Sequence, residues 1–554
     1  MNSSADEFAQ YQSSYPQELN IAQRLADGAL ANGWGKRTAF HYRGARVSFA
    51  EVREDTGRFA GVLSELEVAA EQRVLIALPD TPAFLTSFLG AIWHGSVAVP
   101  INPYLPLDRY EFFLRDSRAV VAIVPPWLVG TVIELSARLP ALQHIVVFCD
   151  PGTPEGGTDD GDWKTPKLIG SSPRLHDVAD LLEGAIAAPP ASTSCDEPAF
   201  WLYTSGSTGL PKGAIHLHHD IWVAADCWGQ RTMDMGPDHV HLSASKLYFA
   251  YGLGNSLHCP MWSGGSAVLV DKRPTPSNMT EAIAANKVTH FYAVPSFYNA
   301  MMADDGFSAA IAAGLYSSLE VCVSAGDALP APLCDRWMKA TGVPVLDGIG
   351  STELLHIFIA NRPNDIRPGS SGRPILGYDA RVVDEDSNDV SPEVVGDLWV
   401  CGDSACIGYW NRHEATKQAL RGKWLVTGDK YRVDSEGYYW YAGRADDMFK
   451  VHGQWVSPSQ VESALLEHEG VHEVAVVAAT DDRGLSCGVA FVVPVGSANK
   501  ALAAALLEHA AGSLSSYLVP ETIKFVDELP KLLQVRFSAT CCGTRWSSRH
   551  QNSS

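Results

Sequence analysis

A run of small hydroxyl and glycine residues from Thr204 to Lys212 carries the clearest chemical signal in this chain. The run reads Thr-Ser-Gly-Ser-Thr-Gly-Leu-Pro-Lys. Glycine lets backbone N–H groups approach an anion closely, Ser and Thr add hydroxyl donors, and lysine supplies a mobile cation. The Walker pattern GxxxxGK[ST] is not met, because the lysine follows Leu-Pro and no Ser or Thr comes after it. We predict a loop that holds a polyphosphate, delivered by a strand at the apolar residues 199–202; a flexible linker would not need that strand.

This segment resembles the phosphate loop of the adenylate-forming superfamily, which includes acyl-CoA ligases, luciferases and peptide-synthetase adenylation domains. Further motifs follow in the family's order, so the resemblance covers nearly the whole chain. It implies catalytic roles for Thr204 and Lys212. The nucleotide phosphates would be held by the residues between them, Ser205, Gly206, Ser207, Thr208 and Gly209.

A second motif, Gly350-Ser351-Thr352-Glu353, resembles the next nucleotide motif of the superfamily. The resemblance implies that Thr352 contacts the α-phosphate and that Glu353 helps to hold Mg²⁺, both as catalytic residues. Magnesium suits a single carboxylate because the ion keeps several waters and bridges phosphate oxygens. An isolated glutamate is ordinarily a solvated surface residue, so the motif carries this prediction.

The nucleoside half of ATP would be bound further along the chain. Residues 424–429 resemble the ribose motif, in which Asp429 accepts hydrogen bonds from both sugar hydroxyls and Arg444 adds a nearby cationic donor; the alternative for Asp429 is an ordinary turn acid. Two other segments would form the adenine and acyl-pocket walls, with cofactor-binding residues Ala325, Gly326, Asp327, Asp347 and Gly348.

The acid substrate is indicated by residues 246–255 and 351–358, which resemble benzoate-CoA ligases more than relatives that activate fatty acids or amino acids. A flat pocket of small residues, one aromatic face and one aliphatic wall suits a ring better than a flexible tail. Simple core packing is the alternative for these aromatics, and ring substituents are poorly predicted because a pocket rejects an added hydroxyl only modestly. The residues implied around the ring are Ala250, Tyr251, Ala325, Gly350, His356 and Ile357.

Three histidines near the phosphate loop, His216, His218 and His219, have a spacing that does not by itself make a metal site. We predict that they are part of loop structure. The eleven cysteines match neither CxxC metal spacing nor a short disulfide framework, and the N-terminus is polar and acidic. These features favour a reduced, cytoplasmic enzyme without a signal peptide.

The composition is that of an ordinary globular protein that is too long for one core, with 554 residues, 46% apolar and 19% charged. A net charge of -21 argues against a nucleic-acid partner.

The apolar region 74–101 is broken by prolines and polar residues, which predicts strand, helix and strand rather than a membrane span. Short β-rich runs alternate with helical stretches and predict α/β layers with largely parallel strands, at residues 74–78, 97–101, 120–124, 144–148, 267–270, 290–294 and 319–324.

We therefore predict an α/β fold: a large N-terminal domain of layered β-sheets and helices, residues 1–445, with a small mobile α+β lid at 446–530. The Gly/Pro/Asp/Ser-rich residues 150–173 are predicted to be a surface excursion. In the lid we expect helices at 458–469 and 500–511 and strands at 474–478 and 489–493. The resemblance makes Asp446 the hinge and places Lys450 and Gly453 beside the CoA pantetheine tunnel; a plain hairpin glycine is the alternative for Gly453.

The end of the chain, residues 531–554, departs from the family. The lid of these enzymes usually ends in a motif resembling Leu-Pro-Lys-Thr-Ala-Thr-Gly-Lys-Ile-Gln-Arg, whose second lysine bridges the carboxylate and the α-phosphate. Here the pattern stops after Lys531, and Arg536 stands at the lysine's position. With suitable synonymous codons, one added nucleotide before codon 532 restores Thr-Ala-Thr-Gly-Lys-Ile-Gln-Arg. We hypothesise a single-nucleotide deletion in the gene or in its sequencing, which would impair the adenylation step if the tail is real.

Taken together, the residues and the resemblance predict an aryl-CoA ligase that converts benzoate, ATP and CoA to benzoyl-CoA, AMP and diphosphate through a benzoyl-adenylate. ATP, Mg²⁺ and CoA are the implied cofactors and co-substrates, with no nucleic-acid or membrane partner, and the protein is expected to be a monomer or a homodimer. One alternative is a ligase for hydroxybenzoate, aminobenzoate or another carboxylic acid. The other is a nucleotide- or adenylate-binding protein impaired in catalysis by its altered terminus.

Overall fold

The protein is seen here as a computed structural model that describes residues 15–148, 173–204, 210–445, 448–451, 454–480 and 486–529. The segment predicted to be a surface excursion lies almost entirely outside these ranges. Within the described ranges, two large sheets, a smaller antiparallel sheet and a separate C-terminal sheet account for most of the strands. The prediction of an α/β fold with a large N-terminal part and a smaller C-terminal part is confirmed.

The first large sheet ends in the antiparallel pair that flanks the phosphate loop. Its other neighbouring strands are parallel, and four of the predicted strands lie here within a residue or two of their expected bounds. The described strands are, in spatial order, Arg174–Asp177, His144–Val147, Val121–Val124, Arg73–Ile76, Val97–Pro100, Pro198–Thr204 and Lys212–Leu217.

The second large sheet has a parallel centre and antiparallel edges. The remaining three predicted strands of the N-terminal part lie in its centre. Its described strands are, in spatial order, Arg373–Pro374, Ile357–Ala360, Val345–Gly350, Val321–Ser324, His290–Ala293, Val240–Ser243, Ser266–Leu269, Thr38–Tyr42 and Ala45–Ser48.

A smaller sheet of antiparallel strands follows in sequence and carries the predicted ribose motif. Its described strands are Tyr378–Val383, Gly396–Gly402, Leu420–Arg421, Trp424–Val433 and Tyr439–Arg444. The C-terminal part has a hairpin and a separate sheet, with strands Phe449–Val451, Gln454–Val456, Val471–Thr480, Ser486–Pro494 and Thr522–Phe525.

Helices cover the sheets and connect the parallel strands. The described α-helices are Ile21–Ala31, Phe49–Glu65, Pro82–His94, Leu107–Ser117, Val129–Ser136, Val178–Gly184, His218–Ala224, Ala250–Leu253, Cys259–Ser263, Pro276–Asn286, Pro295–Ala303, Phe307–Ala312, Ala331–Thr341, His413–Ala419, Pro458–Leu466 and Lys500–Ser513. Pro126–Leu128 is a 3₁₀ turn, and Ala225–Thr232 and Gly254–His258 have π-helical hydrogen bonding.

The helix Phe49–Glu65 illustrates how the sequence sets these elements. Ser48 and Glu51 form a reciprocal capping box, with Glu51 N donating to Ser48 Oγ at 3.2 Å and Ser48 N donating to a Glu51 carboxylate oxygen at 2.7 Å. Val52, Phe59 and Leu63 recur at helical spacing and are buried in the core against the first large sheet.

The apolar region 74–101 forms a strand, a helix and a strand, as predicted. The helix Pro82–His94 is buried because helices and strands surround it. Its residues are accordingly apolar around nearly the whole circumference. Pro82 stands in its first turn, and Gly95, with a φ of 83°, ends it in the left-handed conformation. Among the helices that the structure describes, none is both long enough and apolar enough to cross a membrane.

The C-terminal part has its own core, formed by Val461, Leu465, Val476, Val492 and Leu506. The expected helices and strands of this part are all observed, with bounds shifted by a few residues. Ser457 caps the helix Pro458–Leu466 by accepting a hydrogen bond from Gln460 N at 3.3 Å.

Candidate active site

The predicted phosphate loop joins two antiparallel strands at the edge of the first large sheet. Thr204 ends one strand, Lys212 begins the next, and the two residues are paired across the ladder. The predicted strand before the loop is thereby confirmed. Ser205, Gly206, Ser207, Thr208 and Gly209 lie outside the described residues. The two predicted catalytic ends of the loop are therefore held side by side by the sheet.

The base of this hairpin is fixed by a partly buried polar network around Asp116. Tyr203 donates a hydrogen bond from its hydroxyl to Asp116 at 2.9 Å, and Arg412 contacts the other carboxylate oxygen at 2.9 Å. Trp410 Nε1 donates to the backbone oxygen of Asp116 at 2.9 Å. Burial raises the pKa of Tyr203 well above its ordinary value, with Asp116 contributing, so the phenol remains a donor.

The predicted Mg²⁺ motif lies on the turn between the antiparallel strands Val345–Gly350 and Ile357–Ala360. Ser351 Oγ accepts a hydrogen bond from Leu354 N at 3.2 Å within this turn. Leu355 is buried and has a φ of 68°, a conformation that costs free energy for a residue with a bulky side chain. The backbone therefore turns sharply between Glu353 and His356, so both residues lie on one short connection.

His216 supports this turn from the phosphate hairpin. Its Nε2 donates to the Thr352 backbone oxygen at 2.8 Å, because a carbonyl oxygen only accepts. Its Nδ1 lies 2.7 Å from Asp220 Oδ2, and both side chains are fully buried. The Phe200 ring stacks on His216 with centroids 5.0 Å apart. His216 thus joins the strand after the phosphate loop to the backbone of Thr352.

The prediction that His216, His218 and His219 belong to loop structure is wrong. His216 lies on the strand Lys212–Leu217, and His218 and His219 begin the helix His218–Ala224. All three are buried, and each makes hydrogen bonds that compensate for the loss of water. His218 Nδ1 accepts from Ile21 N at 3.1 Å, and burial lowers the pKa of His218 to about 3.

His219 lies near two other groups that can ligate metals. Donor atoms of His219, Cys195 and Asp196 lie within 4.8 Å of one another. However, His219 Nδ1 lies 3.0 Å from the Cys195 backbone oxygen and its Nε2 lies 3.2 Å from Asp220, so both nitrogens face protein oxygens. The Tyr15 ring stacks on the imidazole with centroids 4.9 Å apart. The imidazole is thus held by its hydrogen bond to the Cys195 backbone oxygen and by the stacked Tyr15 ring, with Asp220 at ion-pair distance.

Tyr409 is a functional candidate that the sequence reasoning missed. Its hydroxyl donates to Glu353 Oε1 at 2.7 Å, and Lys212 Nζ lies 5.1 Å from the centroid of its ring. Burial raises the pKa of Tyr409, with Glu353 contributing, so the hydroxyl keeps its proton. The only sequence signal is an aromatic pair, Tyr409 and Trp410, directly after a glycine.

The predicted ribose pair is formed across two antiparallel strands. Asp429 is paired with Arg444, and Arg444 Nη1 donates to Asp429 Oδ1 at 2.9 Å. Arg444 Nη1 also contacts the Thr427 backbone oxygen at 3.3 Å. Gly428 between them has a φ of 76°, and an added Cβ would lie 3.1 Å from the Arg444 guanidinium. The arrangement presents a carboxylate and a cation together at the end of the sheet.

The predicted adenine wall is assembled from neighbouring parallel strands, in which Ser324 pairs with Asp347. Asp347 is buried, and burial raises its pKa well above the ordinary value. Ser371 Oγ donates to Asp347 Oδ2 at 3.4 Å, whereas Oδ1 has no hydrogen-bond partner among the described residues. Ala325 and Gly348 are buried, and Gly326 and Asp327 are exposed. The structure therefore brings these predicted residues to one edge of the sheet.

The predicted aryl residues also converge. Gly350 pairs with Ile357 across the turn, and Ala325 follows the strand Val321–Ser324. Tyr251, next to Ala250, donates its hydroxyl to the Val323 backbone oxygen at 3.0 Å, and its ring centroid lies 6.0 Å from that of His356.

His356 is held as a neutral ring in this group. Its Nε2 lies 3.1 Å from Asn255 Oδ1, and burial lowers its pKa to about 3. Two glycines make room for it: a Cβ on Gly254 would lie 2.0 Å from His356 Cδ2, and one on Gly350 would lie 2.6 Å from the His356 backbone oxygen. Asn255 is a second residue whose contact the sequence did not reveal.

The predicted CoA and hinge residues are only partly described. Lys450 lies on the strand Phe449–Val451 and pairs with Trp455 on the strand Gln454–Val456. Asp446, Gly453 and the tail from residue 531 lie outside the described residues. Their predicted roles stay predictions.

Comparison with known proteins matches this arrangement to one family. The AMP-binding enzyme model matches residues 29–410, and the AMP-binding enzyme C-terminal domain model matches residues 460–532. The chain belongs to this family of AMP-binding, adenylate-forming enzymes.

Within the family, the chain is similar to ligases of aromatic acids. It is 39% identical to a benzoate–CoA ligase of Thauera aromatica, over 93% of this chain and 94% of that protein. It is 37% identical to a 4-hydroxybenzoate–CoA/benzoate–CoA ligase of Rhodopseudomonas palustris, over 93% and 92%. A crystal structure of an anthranilate CoA ligase in complex with anthranoyl-AMP superimposes with a TM-score of 0.87 at 33% identity, covering 98% of each chain.

Proposed function

We propose that this protein is an ATP-dependent aryl-CoA ligase that acts on benzoate or a close analogue. The observation that carries the proposal is the convergence on one turn. Glu353 accepts a hydrogen bond from Tyr409, whose ring also contacts Lys212 of the phosphate hairpin, and three residues later the ring of His356 lies beside that of Tyr251. The group proposed to act on phosphate and the group proposed to fit a flat ring thus lie three residues apart on one turn. Joining a carboxylate to the α-phosphorus of ATP requires that proximity.

The first reaction would form benzoyl-adenylate. A carboxylate oxygen of benzoate attacks the α-phosphorus, the bond from that phosphorus to diphosphate breaks, and diphosphate leaves. Thr204, Lys212 and Thr352 would hold the phosphate oxygens and offset the negative charge of the two reactants. Asp429 and Arg444 would bind the ribose hydroxyls, and the edge formed by Ala325, Gly326, Asp327, Asp347 and Gly348 would pack against adenine.

The residues around Glu353 fit a magnesium ion. Tyr409 occupies one carboxylate oxygen, and within the described part of the chain the other oxygen has no protein partner. Such a hard oxygen ligand suits Mg²⁺, so Glu353 would help to hold the ion, which would supply positive charge against the phosphates.

The acid would lie among Ala250, Tyr251, Ala325, Gly350, His356 and Ile357. Neutral His356 presents an uncharged polar edge to the ring. Similarity to proteins named for benzoate, 4-hydroxybenzoate and anthranilate supports an aromatic acid and leaves its ring substituents open. Hydroxybenzoate and aminobenzoate are the next candidates.

The second reaction would transfer the acyl group to CoA. The CoA sulfur attacks the acyl carbon, the carbon–oxygen bond to AMP breaks, and the thiol proton passes to solvent. We propose that the C-terminal part from residue 446 acts as a lid that turns at Asp446 between the two reactions, with Lys450 and Gly453 beside the pantetheine chain. Both co-substrates are cytoplasmic metabolites, and we propose the same location for the enzyme.

The altered tail bears on the first reaction. The C-terminal family model ends at residue 532, where the family motif stops in this sequence. If the tail is real, Arg536 replaces the bridging lysine, and its planar guanidinium is not equivalent to an ammonium group. We propose that a lost nucleotide near codon 532 explains the departure, and resequencing that DNA tests it.

A panel of acids tests the proposed function. Benzoate, hydroxybenzoates, aminobenzoate and hexanoate are each supplied with Mg²⁺, ATP and CoA, and AMP release is measured. We expect the largest kcat/KM with benzoate or one of its ring analogues and little AMP release with hexanoate. A preference for hexanoate would contradict the aryl assignment, and nucleotide binding without AMP release from any acid would favour a binding protein impaired in catalysis.

A further inference from the structure

Among the described residues, Tyr409 alone contacts the side chains of both Glu353 and Lys212. Its hydroxyl donates to Glu353 Oε1 at 2.7 Å, while its ring lies under Lys212, whose Nζ is 5.1 Å from the ring centroid. Within the described ranges Lys212 makes no ion pair, and its ammonium group lies over this aromatic face. An ammonium group is attracted to the face of a tyrosine ring.

The backbone around Tyr409 is anchored on both sides of the site. Cys406 N donates to the Glu353 backbone oxygen at 2.8 Å, which ties the segment to the turn. Trp410 N donates to the Gly213 backbone oxygen at 2.9 Å, which ties it to the residue after Lys212. The segment 406–410 therefore connects the two parts of the site through backbone bonds, independent of any ligand.

The ring itself has little freedom. Tyr409 N donates to Thr416 Oγ1 at 2.9 Å, and Gly408, with a φ of 145°, lets the chain pass the same threonine, since a Cβ there would lie 2.7 Å from Thr416 Cγ2. Tyr409 is thus held between Lys212 and Glu353 before any substrate binds. Because the Tyr409 hydroxyl is fixed on one carboxylate oxygen of Glu353, it sets the direction in which the other carboxylate oxygen points.

We propose that Tyr409 is a positioning residue that orients Glu353 for the metal of Mg·ATP and holds Lys212 for its phosphates. This inference rests on the proposed function, because it assigns Glu353 to the metal. Tyr409 acts through these two side chains and does not itself touch the reacting atoms. Removing a residue that hydrogen-bonds to a metal ligand typically lowers metal affinity by about 10- to 100-fold.

The test measures metal affinity directly as well as activity. Mn²⁺ binding in the presence of a non-hydrolysable ATP analogue is followed by electron paramagnetic resonance for the full chain and for Tyr409→Phe, which keeps the ring and removes the hydroxyl. We expect Mn²⁺ affinity to fall about tenfold or more in Tyr409→Phe. Tyr409→Leu also removes the aromatic face and should weaken binding of the ATP analogue by a further two- to fivefold or so.

The control is Tyr439→Phe, because the buried hydroxyl of Tyr439 donates to the Ala380 backbone oxygen and its loss should leave Mn²⁺ affinity unchanged. A double-mutant cycle with Glu353→Gln separates positioning from general loosening: the effect of Tyr409→Phe should largely disappear when Glu353 is already changed. Unchanged Mn²⁺ affinity in Tyr409→Phe, or a cycle in which the two effects simply add, would overturn the proposal.

Benzoate-dependent exchange of pyrophosphate into ATP is measured on the same proteins. The proposal is supported if the unsubstituted protein shows exchange and Tyr409→Phe requires a higher Mg²⁺ concentration for the same exchange. An unchanged Mg²⁺ requirement counts against it. Absence of exchange with every acid, both in this chain and in a version whose tail after residue 531 is restored to the family motif, would be a failure of the proposed function. The Mn²⁺ titration would still decide the role of Tyr409.

Discussion

Arg444 Nη1 lies 2.9 Å from Asp429 Oδ1, across a pair of antiparallel strands near the point where the N-terminal part of the chain ends. If this pair binds the ribose of ATP, Asp429→Asn should raise the KM for ATP by about 10-fold or more, because a charged hydrogen-bond partner is lost. KM and kcat are obtained from pyrophosphate release. Asp397→Asn is the matched control, since Asp397 forms an ion pair of the same length, 2.9 Å, with Lys430 in the same sheet. An equal rise in KM from the control would count against a ribose site.

The space around His356 gives a prediction for the acid. Gly254→Ala would place a Cβ 2.0 Å from His356 Cδ2, so the imidazole must move. We expect the KM for benzoate to rise by about tenfold or more while the KM for ATP changes little, since only the ring pocket is displaced. Gly130→Ala has open space around its added Cβ and serves as the control. Equal changes in both KM values for Gly254→Ala would indicate general disruption.

A buried histidine predicts how stability depends on pH. Burial lowers the pKa of His290 to about 3, with His239 contributing, from an ordinary value of 6.5. The unfolded chain takes up this proton near pH 6.5 and the folded chain does not, so the contribution of His290 is full above pH 6.5 and is lost as the pH falls toward 3. At pH 5 the loss is about 2 kcal/mol in the free energy of unfolding.

The variant His290→Phe removes this titration and keeps an aromatic ring beside His239 and His241. Urea unfolding at pH 7.5 and pH 5 should show a smaller loss of stability in the variant, by roughly 2 kcal/mol. His413→Phe changes an exposed histidine and should leave the pH dependence as it is in the parent. Parallel losses in the parent and in His290→Phe would show that His290 does not carry this effect.

The phosphate hairpin and the strands beneath it were predictable because their signals are local. Residues 199–202 are apolar and directly precede the loop, so the sequence predicts a strand there, and the structure has Pro198–Thr204. The same holds for the alternation of strands and helices in the first large sheet, where β-rich runs are bounded by turn residues.

Contacts between distant segments were not predictable in this way. Tyr409 reaches Glu353 and Lys212 only because the segment 406–410 is bonded to both parts of the site, and no periodicity indicates that pairing. His216 looked like a loop residue because it follows a glycine-rich stretch. Its strand register, which turns the imidazole toward Thr352, is set by pairing with Phe200. Side chains whose roles depend on such long-range pairing require the structure.

The altered terminus predicts an imbalance between the two half-reactions. Replacing residues 532–554 with the reading frame restored by one nucleotide should accelerate formation of the adenylate by about 10²- to 10³-fold, as expected for regaining one group that stabilises the transition state. Thioester formation from preformed benzoyl-AMP should change little, since the lysine motif acts in the first reaction. The restored tail carrying arginine at position 536 is the control and should stay slow. Equal rates for all three proteins would remove the role proposed for the lysine.

The most direct measurement of the central claim is to trap the intermediate. The protein with the restored tail is mixed with Mg²⁺, ATP and benzoate, and the products are separated by chromatography and identified by mass before and after CoA is added. The account predicts benzoyl-AMP together with diphosphate in the first stage, followed by its conversion to benzoyl-CoA and AMP. Recovery of unchanged ATP and benzoate, with no mixed anhydride and no thioester from any aromatic acid tested, would contradict it.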